Sequence, residues 1–298
     1  MLRQNPASAG LVLALGSATL YGLNIGYARL ASFAGVSGST IVVYRVLLMM
    51  VMAGLAALVL GHSLRVAPQE RPTIMLLGIS TAIVGVCYLS SVAFIPVAVA
   101  VVVFYTFPVL IVLASPLVQG TKLTPALLGV VALALTGVVL VVGPAFGSLD
   151  PRGLALAVGA SIATATQFFA AALARETGVF AKTFWIHLIV LPTAALIGAV
   201  AGNLEPPSSL LLAAIPVAIT IGAYLLGFVL QFLALTRITA VTAGIAFCAE
   251  PVVAALAAPF ILGETLSPVQ ILGGSLVIAA IVTNVILEGR RQAVVPAG

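Results

Sequence analysis

Charged side chains are the scarcest component of this 298-residue sequence. Only 6% of its residues are Asp, Glu, Lys or Arg and 62% are hydrophobic, whereas soluble domains are about 25% charged. So little charge cannot cover a surface that faces water, and the solvent of this chain must therefore be lipid. The shortage excludes a soluble globular protein. It also makes a nucleic-acid partner an unnecessary explanation for the net charge of +5.

The residues on which enzyme and metal sites depend are also few. The two cysteines, Cys87 and Cys248, fall in apolar stretches and indicate neither a disulfide framework nor a zinc site. His62 and His187 are the only histidines, and the sequence has no HExxH, GxSxG or CxxC motif and no phosphate-binding glycine loop. We therefore expect no enzyme activity, no metal site and no cofactor.

Long hydrophobic runs are abundant instead. A helix of about 20 apolar residues crosses a bilayer, and ten runs of that length stand between polar, proline or glycine breaks. The alternating polarity of barrel strands is absent, so the runs predict an all-α integral membrane protein. The predicted spans are residues 10–29, 39–60, 73–94, 97–118, 124–143, 152–174, 180–201, 209–233, 239–262 and 268–287.

One stretch occurs twice in the chain. Residues 100–125 align without a gap with residues 243–268, and their prolines and glycines coincide. Because these residues interrupt helices rather than fill them, the match indicates a duplicated unit. We therefore predict a first five-helix repeat over residues 1–146 and a second over 147–298, with proline kinks in the fourth and ninth spans. The matched pairs are Pro108 with Pro251, Pro116 with Pro259, Gly120 with Gly263 and Pro125 with Pro268.

The positions of Lys and Arg predict the orientation of the spans. If the N-terminus is cytoplasmic, nine of the twelve lie on the cytoplasmic side, two lie outside and Arg45 lies within the second span. Cytoplasmic loops carry such an excess, so we expect both termini in the cytoplasm. Five spans per unit is an odd number, so the second unit starts from the other side and the repeat is inverted. The cytoplasmic set is Arg3, Arg65, Arg71, Lys122, Arg175, Lys182, Arg237, Arg290 and Arg291, and the outer pair is Arg29 and Arg152.

Polar residues inside the apolar spans are the candidates for a substrate site. An unpaired polar side chain is costly in hydrocarbon, so polar residues at helical spacing mark either a cavity or a helix–helix contact. The fifth and tenth spans are almost purely aliphatic, and we expect them to face lipid or a partner subunit. The candidate substrate-binding residues are Tyr21, Asn24, Tyr88, Tyr105, Gln167, Phe168, Tyr224 and Glu250.

Three ionisable side chains within spans are candidates for coupling or charge pairing. Glu250 could have a functional role, in which it titrates a proton or binds a substrate ammonium group. Alternatively, it accepts hydrogen bonds from backbone N–H groups that are freed where Pro251 breaks the helix. Arg45 either holds a carboxylate or pairs with Glu250 or with backbone carbonyls. His187 is either a packing histidine or a titrating switch.

Three segments carry a recognisable pattern. Glu250–Gly274 reads EPVVAALAAPFILGETLSPVQILGG, which contains E-P followed by G-E-x-L-S-x-x-Q-x-x-G. The first span contains Y-G-L-N from Tyr21, and Tyr44-Arg45 is an aromatic–Arg pair. Together they resemble the EamA-type family of the drug/metabolite transporter superfamily, which shows W-G-x-N in the first span. The first repeat departs from the pattern with Gly120-Thr121 in place of Gly-Glu, and the sixth span lacks the family's Trp near Thr166.

The resemblance implies ten helices in a five-plus-five inverted repeat. It also implies a cavity lined by the first, third, fourth, sixth, eighth and ninth helices, with the fifth and tenth peripheral. Members of the family mostly export small metabolites, including amino acids, from the bacterial cytoplasm. We therefore expect a secondary transporter of the bacterial inner membrane that exports a small neutral or aromatic amino acid by alternating access. A multidrug, nucleotide-sugar or other metabolite carrier of the same fold is the alternative, and any homodimer is expected to form through the fifth and tenth helices.

Overall fold

The computed structural model describes residues 6–143 and 149–294. Arg3, the predicted boundary between residues 146 and 147, and the side chains of Arg290 and Arg291 lie outside the described residues. Over the two described ranges the chain is helical and has no strand, which confirms the predicted all-α class.

Within the described residues, twelve α-helices form ten long apolar segments, each long and apolar enough to cross a membrane. These segments confirm the prediction of a multi-pass membrane protein. The helices are α1 (Pro6–Phe33), α2 (Gly38–Val59), α3 (Arg71–Ser91), α4 (Val97–Phe104), α5 (Phe107–Gln119), α6 (Pro125–Val142), α7 (Pro151–Leu173), α8 (Val179–Val200), α9 (Ala214–Leu235), α10 (Ala240–Phe247), α11 (Ala249–Leu262) and α12 (Pro268–Val294). Two 3₁₀-helices, Pro68–Glu70 and Pro207–Ala213, precede α3 and α9.

The fourth and ninth spans are each divided into two helices, α4 with α5 and α10 with α11. Pro108 and Pro251 lie in the first turn of α5 and α11. A proline fits there because the first backbone N–H groups of a helix have no partner within the helix. The helices are therefore interrupted before these two prolines, by two residues in the fourth span and by one in the ninth, where the sequence predicted kinks. Pro116 and Pro259, also predicted to kink their spans, lie inside continuous helices.

Local sequence explains where several helices begin and end. Ser37, Thr124 and Thr239 each accept a hydrogen bond from a backbone N–H in the first turn of α2, α6 and α10. Asp150 does the same at α7, and hydrogen bonds from Arg152 hold the pKa of Asp150 below its usual value. A glycine in the left-handed conformation follows α5, α6 and α11, where a side chain would be strained.

Four helix pairs make the most extensive contacts: α1 with α9, α3 with α7, α2 with α8 and α6 with α12. A Cβ atom added to Gly22 of α1 would lie 2.7 Å from the backbone oxygen of Glu250, so α1 also approaches α11 closely. A Cβ atom on Gly137 would lie 2.7 Å from the backbone oxygen of Gly273. The helices α6 and α12, predicted to face lipid or a partner, therefore pack tightly on each other and keep exposed apolar faces on their other sides.

The helix ends define two faces of the bundle. We call the end at which α1 begins the N-terminal face, and the end at which α1 finishes the opposite face. Because successive spans run in opposite directions, the described Lys and Arg residues outside the middle of the bundle divide unevenly between the two faces. Arg65, Arg71, Lys122, Arg175, Lys182 and Arg237 lie towards the N-terminal face, and Arg29 and Arg152 lie at the opposite face.

Loops from the two halves of the chain are hydrogen-bonded to each other at both faces. At the N-terminal face the Glu70 carboxylate accepts hydrogen bonds from the backbone N–H groups of Glu176 at 2.8 Å and Thr177 at 2.7 Å. At the opposite face the Ser37 N–H donates to the Glu205 carboxylate at 3.5 Å. A carboxylate thus accepts from two backbone N–H groups across the halves at the N-terminal face and from one, over a longer distance, at the opposite face.

Candidate functional site

Tyr105 and Glu250 lie at the breaks of the fourth and ninth spans. Tyr105 directly follows α4, and Glu250 lies in the first turn of α11, so the breaks place both side chains at mid-bundle depth. The Tyr105 hydroxyl faces the Glu250 carboxyl group but makes no hydrogen bond of good geometry. Non-helical backbone at this depth is tolerated where it is buried in protein or lines a cavity.

Glu250 is surrounded by tyrosines rather than by cations. Tyr21, Tyr88 and Tyr105 lie within electrostatic range of its carboxyl group. No cation of the described chain forms an ion pair with it, since the two ion pairs present both lie at the opposite face. Glu250 and Tyr21 are enclosed by neighbouring residues yet keep some accessible surface. They are therefore not part of the fully packed core.

Arg45 of α2 also lacks a partner of opposite charge in the part of the chain that the structure describes. Its guanidinium carbon lies 4.2 Å from the centroid of the Tyr224 ring. Its Nε atom is buried without a hydrogen-bond partner. Tyr21 is within electrostatic range of both Arg45 and Glu250. An unpaired cation and an unpaired carboxyl group therefore lie near the same tyrosine.

His187 of α8 is fully buried and connects to this group through Tyr224. Its Nδ1 atom lies 2.7 Å from the backbone oxygen of Thr183, and its Nε2 atom lies 2.9 Å from the Tyr224 hydroxyl. The imidazole also packs edge-on against Phe228 at a centroid distance of 4.6 Å. Both ring nitrogens thus have hydrogen-bond partners, and the ring packs against the Phe228 side chain.

Aromatic rings form one side of the cluster. Phe104 lies 5.2 Å from Tyr88 and 5.4 Å from Tyr105, measured between ring centroids. Phe168 lies 5.4 Å from Phe107 and is 2% exposed. The structure therefore places the candidate Phe168 in the packed core, where it supports the ring cluster.

The two candidate amides, Asn24 and Gln167, are engaged in helix–helix contacts. The Asn24 Nδ2 atom donates to the backbone oxygen of Thr220 at 2.6 Å and connects α1 to α9. The Gln167 Nε2 atom donates to the Thr81 hydroxyl at 2.8 Å and connects α7 to α3. Their amide donors are thus used within the protein, although Gln167 stays partly accessible.

The list of candidate substrate residues omitted two polar groups that the structure places beside the candidates. The Tyr21 hydroxyl donates to Gln231 Oε1 at 3.1 Å, and Thr81 receives the Gln167 amide. Gln231 lies seven residues after Tyr224 on the same face of α9, so helical spacing was the signal that pointed to it. No comparable signal marked Thr81, because its partner lies on another helix.

Two cavities lie apart from Arg45 and Glu250. An apolar crevice of about 30 Å³ between α2, α3 and α8 is bordered by Ser39, Leu89 and Ile197. A groove of about 240 Å³ at the N-terminal face is bordered by Thr242 and Glu288 among others. Neither contains the unpaired charges, so we place the candidate site at the tyrosine cluster.

The two broken spans differ in burial. Every residue of α10, which lies towards the N-terminal face, is buried. In α4, which occupies the equivalent position towards the opposite face, Val99 and Ala100 are the buried residues and the others keep accessible surface. The first half of the ninth span is therefore enclosed, and the first half of the fourth span is more open.

In the described ranges, ten apolar segments surround a partly accessible cluster of tyrosines. This arrangement defines a multi-pass membrane protein.

The chain belongs to the EamA-like transporter family, whose sequence model matches residues 8–143 and 151–286. This match confirms the resemblance inferred from the sequence and identifies the protein as a transporter rather than an enzyme. The domain boundary and the inversion of the repeat stay predictions.

Named relatives and a solved structure are also similar to this chain. The threonine/homoserine exporter RhtA of Escherichia coli (strain K12) is 30% identical over 223 residues, covering 73% of this chain and 72% of the relative. RhtA of Salmonella typhimurium (strain LT2) is 30% identical over 220 residues with the same coverage. A crystal structure with 21% identity superposes with a TM-score of 0.77 over 95% of this chain and 98% of its own. At that identity the crystal structure supports the fold alone.

Proposed function

We propose that this protein exports a small neutral or aromatic amino acid from the cytoplasm across the bacterial inner membrane. The observation that carries the proposal is the pair of unpaired opposite charges, Arg45 and Glu250, near Tyr21. The 30% identity to threonine/homoserine exporters supports the same class of substrate.

A zwitterion fits these charges because it brings the missing counter-ion to each. Burying a charge without a partner is costly, and the cost falls when a ligand of opposite charge binds. The planar guanidinium of Arg45 suits a carboxylate, and the Glu250 carboxylate suits an ammonium group. The α-carboxylate and α-amino groups of an amino acid would occupy these two places.

The substrate side chain is proposed to lie against the tyrosine rings. Tyr21, Tyr88 and Tyr224 keep accessible surface within the cluster. Such rings offer an apolar face and a polar hydroxyl, which accommodates aromatic and small hydroxylated side chains alike. Tyr105 is 4% exposed, so its unpartnered hydroxyl is proposed to act on Glu250 rather than on the substrate side chain.

Alternating access is proposed as the transport mechanism. The pairing of helices supports the inverted repeat, because α1 packs on α9 as α7 packs on α3 when the two halves are exchanged. Full burial of α10 and partial exposure of α4 support a state closed towards the N-terminal face. The Lys and Arg surplus at that face supports a cytoplasmic location for it.

Counterflow in proteoliposomes tests the proposal. Purified protein is reconstituted with unlabelled threonine, homoserine, phenylalanine or tyrosine inside, and uptake of the labelled amino acid is measured against protein-free vesicles. We expect saturable exchange with at least one of these amino acids. The Arg45→Gln and Glu250→Gln variants should reduce this exchange by about tenfold or more, the effect of losing a charge-assisted hydrogen bond. Absence of exchange for every amino acid would refute the proposal, and transport of planar drugs or nucleotide sugars instead would support the alternative carrier.

A further inference from the structure

His187 has a fixed hydrogen-bonding role. A backbone carbonyl can only accept, so the Nδ1 atom of His187 donates to the Thr183 oxygen at 2.7 Å. In the neutral ring this leaves Nε2 as an acceptor, and the Tyr224 hydroxyl at 2.9 Å is the donor. Packing against Phe228 restrains the imidazole, so the acceptor has a defined position.

Tyr224 in turn orients Arg45. The Tyr224 ring lies between the imidazole, which holds its hydroxyl, and the Arg45 guanidinium, which lies 4.2 Å from the ring centroid. Cations bind the faces of aromatic rings, and the attraction grows when water is excluded. Because Arg45 has no ion-pair partner among the described residues, the position of this ring determines where its guanidinium points.

We propose that His187 is a positioning residue of the substrate site, acting through Tyr224 to hold Arg45 where it binds the substrate carboxylate. The inference rests on the proposed function, since it assigns the carboxylate of the amino acid to Arg45. His187 touches no substrate in this scheme. It contributes the Nε2 atom, which accepts the hydrogen bond of the Tyr224 hydroxyl from a fixed position.

Two substitutions at position 187 separate positioning from packing. His187→Phe keeps an aromatic ring against Phe228 but removes the acceptor. His187→Gln can place Oε1 near the former Nε2 position and accept from Tyr224 again. Tyr224→Phe removes the same hydrogen bond from the other side and leaves a ring beneath Arg45. If the His187→Phe protein fails to fold, the Tyr224→Phe protein tests the same hydrogen bond.

The readout is carboxylate discrimination in the counterflow assay. Inhibition by the transported amino acid is compared with inhibition by its amino alcohol, which lacks the carboxylate. We expect the wild-type protein to prefer the amino acid. His187→Phe and Tyr224→Phe should raise KM by about tenfold with a smaller change in kcat and reduce that preference, whereas His187→Gln should retain it.

The outcomes distinguish this inference from the proposed function. A wild-type protein that transports no amino acid would overturn both. Wild-type transport with an undiminished preference in His187→Phe and Tyr224→Phe would overturn the positioning role alone. Equal loss of preference in His187→Phe and His187→Gln would also overturn it. A restored acceptor should return the Arg45 guanidinium to its position.

Discussion

Glu250 and Arg45 are an acidic and a basic side chain at mid-bundle depth, yet the structure gives each a tyrosine as its neighbour rather than the other ionisable group. The sequence left three alternatives for Arg45, namely a carboxylate ligand, Glu250 or backbone carbonyls. We propose the first, since no ion pair or hydrogen bond to Arg45 is formed within the described residues and its Nε atom has no partner.

Replacing Glu250 with glutamine tests its role at the scale of a single residue. We expect Glu250→Gln to lower kcat/KM by at least about tenfold, since a neutral amide holds an ammonium group less strongly than a carboxylate does. Counterflow and pH-gradient-driven flux are both measured, and a loss confined to the driven flux would identify a proton-coupled carrier. Glu264→Gln is the control, because that exposed carboxylate pairs with Arg29 at the opposite face. Equal activity of Glu250→Gln and wild type would contradict a substrate role.

Residue roles were the part of the site that the sequence predicted least well. Helical spacing assigned Tyr21 and Tyr224 to the polar faces of two different helices, and in the structure their ring centroids lie 6.2 Å apart. The same spacing could not distinguish Asn24, whose amide contacts the backbone of α9, from a residue that faces the cavity. That distinction depends on which neighbouring helix offers a partner, and one helix alone does not encode it.

The next scale is the packing of helix pairs. The close contact between α6 and α12 can be tested by substitution. Gly137→Val would place a side chain against the backbone of Gly273, so we expect a destabilisation of about 1–3 kcal/mol from overpacking. The measurement is thermal or denaturant unfolding in detergent. Gly129→Val on the same helix is the control, because a Cβ atom there meets open space. Similar stability of both variants would contradict the observed packing.

The loop contact at the N-terminal face gives a second prediction at this scale. Glu70→Gln removes the negative charge that accepts two backbone hydrogen bonds, and we expect the N-terminal face to open more often. A cysteine placed at buried Thr242, in a chain without Cys87 and Cys248, should then react faster with a soluble thiol reagent. Glu205→Gln, which loses a single 3.5 Å contact at the opposite face, should leave that rate unchanged. An unaltered rate in Glu70→Gln would show that Glu70 does not hold this face closed.

At the scale of the whole molecule, ten spans require that both ends of the chain lie on one side of the membrane. Epitope tags at the two termini should therefore be equally protected in intact cells and equally accessible after permeabilisation. The Lys and Arg surplus at the N-terminal face predicts that this side is the cytoplasm. A tag on each side would contradict the ten-span topology, whereas two external tags would reverse the predicted orientation.

The number and approximate limits of the spans followed from the sequence alone, because hydrophobic length is a local property that the bilayer thickness imposes. The sequence also predicted kinks at Pro108 and Pro251, where the structure interrupts the two spans by one or two residues. The family also followed from the sequence, because its short motifs are local in the chain.

Only the tertiary structure decided what each polar side chain contacts. His187, Tyr224 and Arg45 belong to three helices, α8, α9 and α2, that are distant in sequence. A helix fixes the face on which a side chain lies, but the partner on that face depends on how the helices pack. The unpaired charges and the hydrogen bond that positions one of them therefore emerged only when all ten spans were assembled.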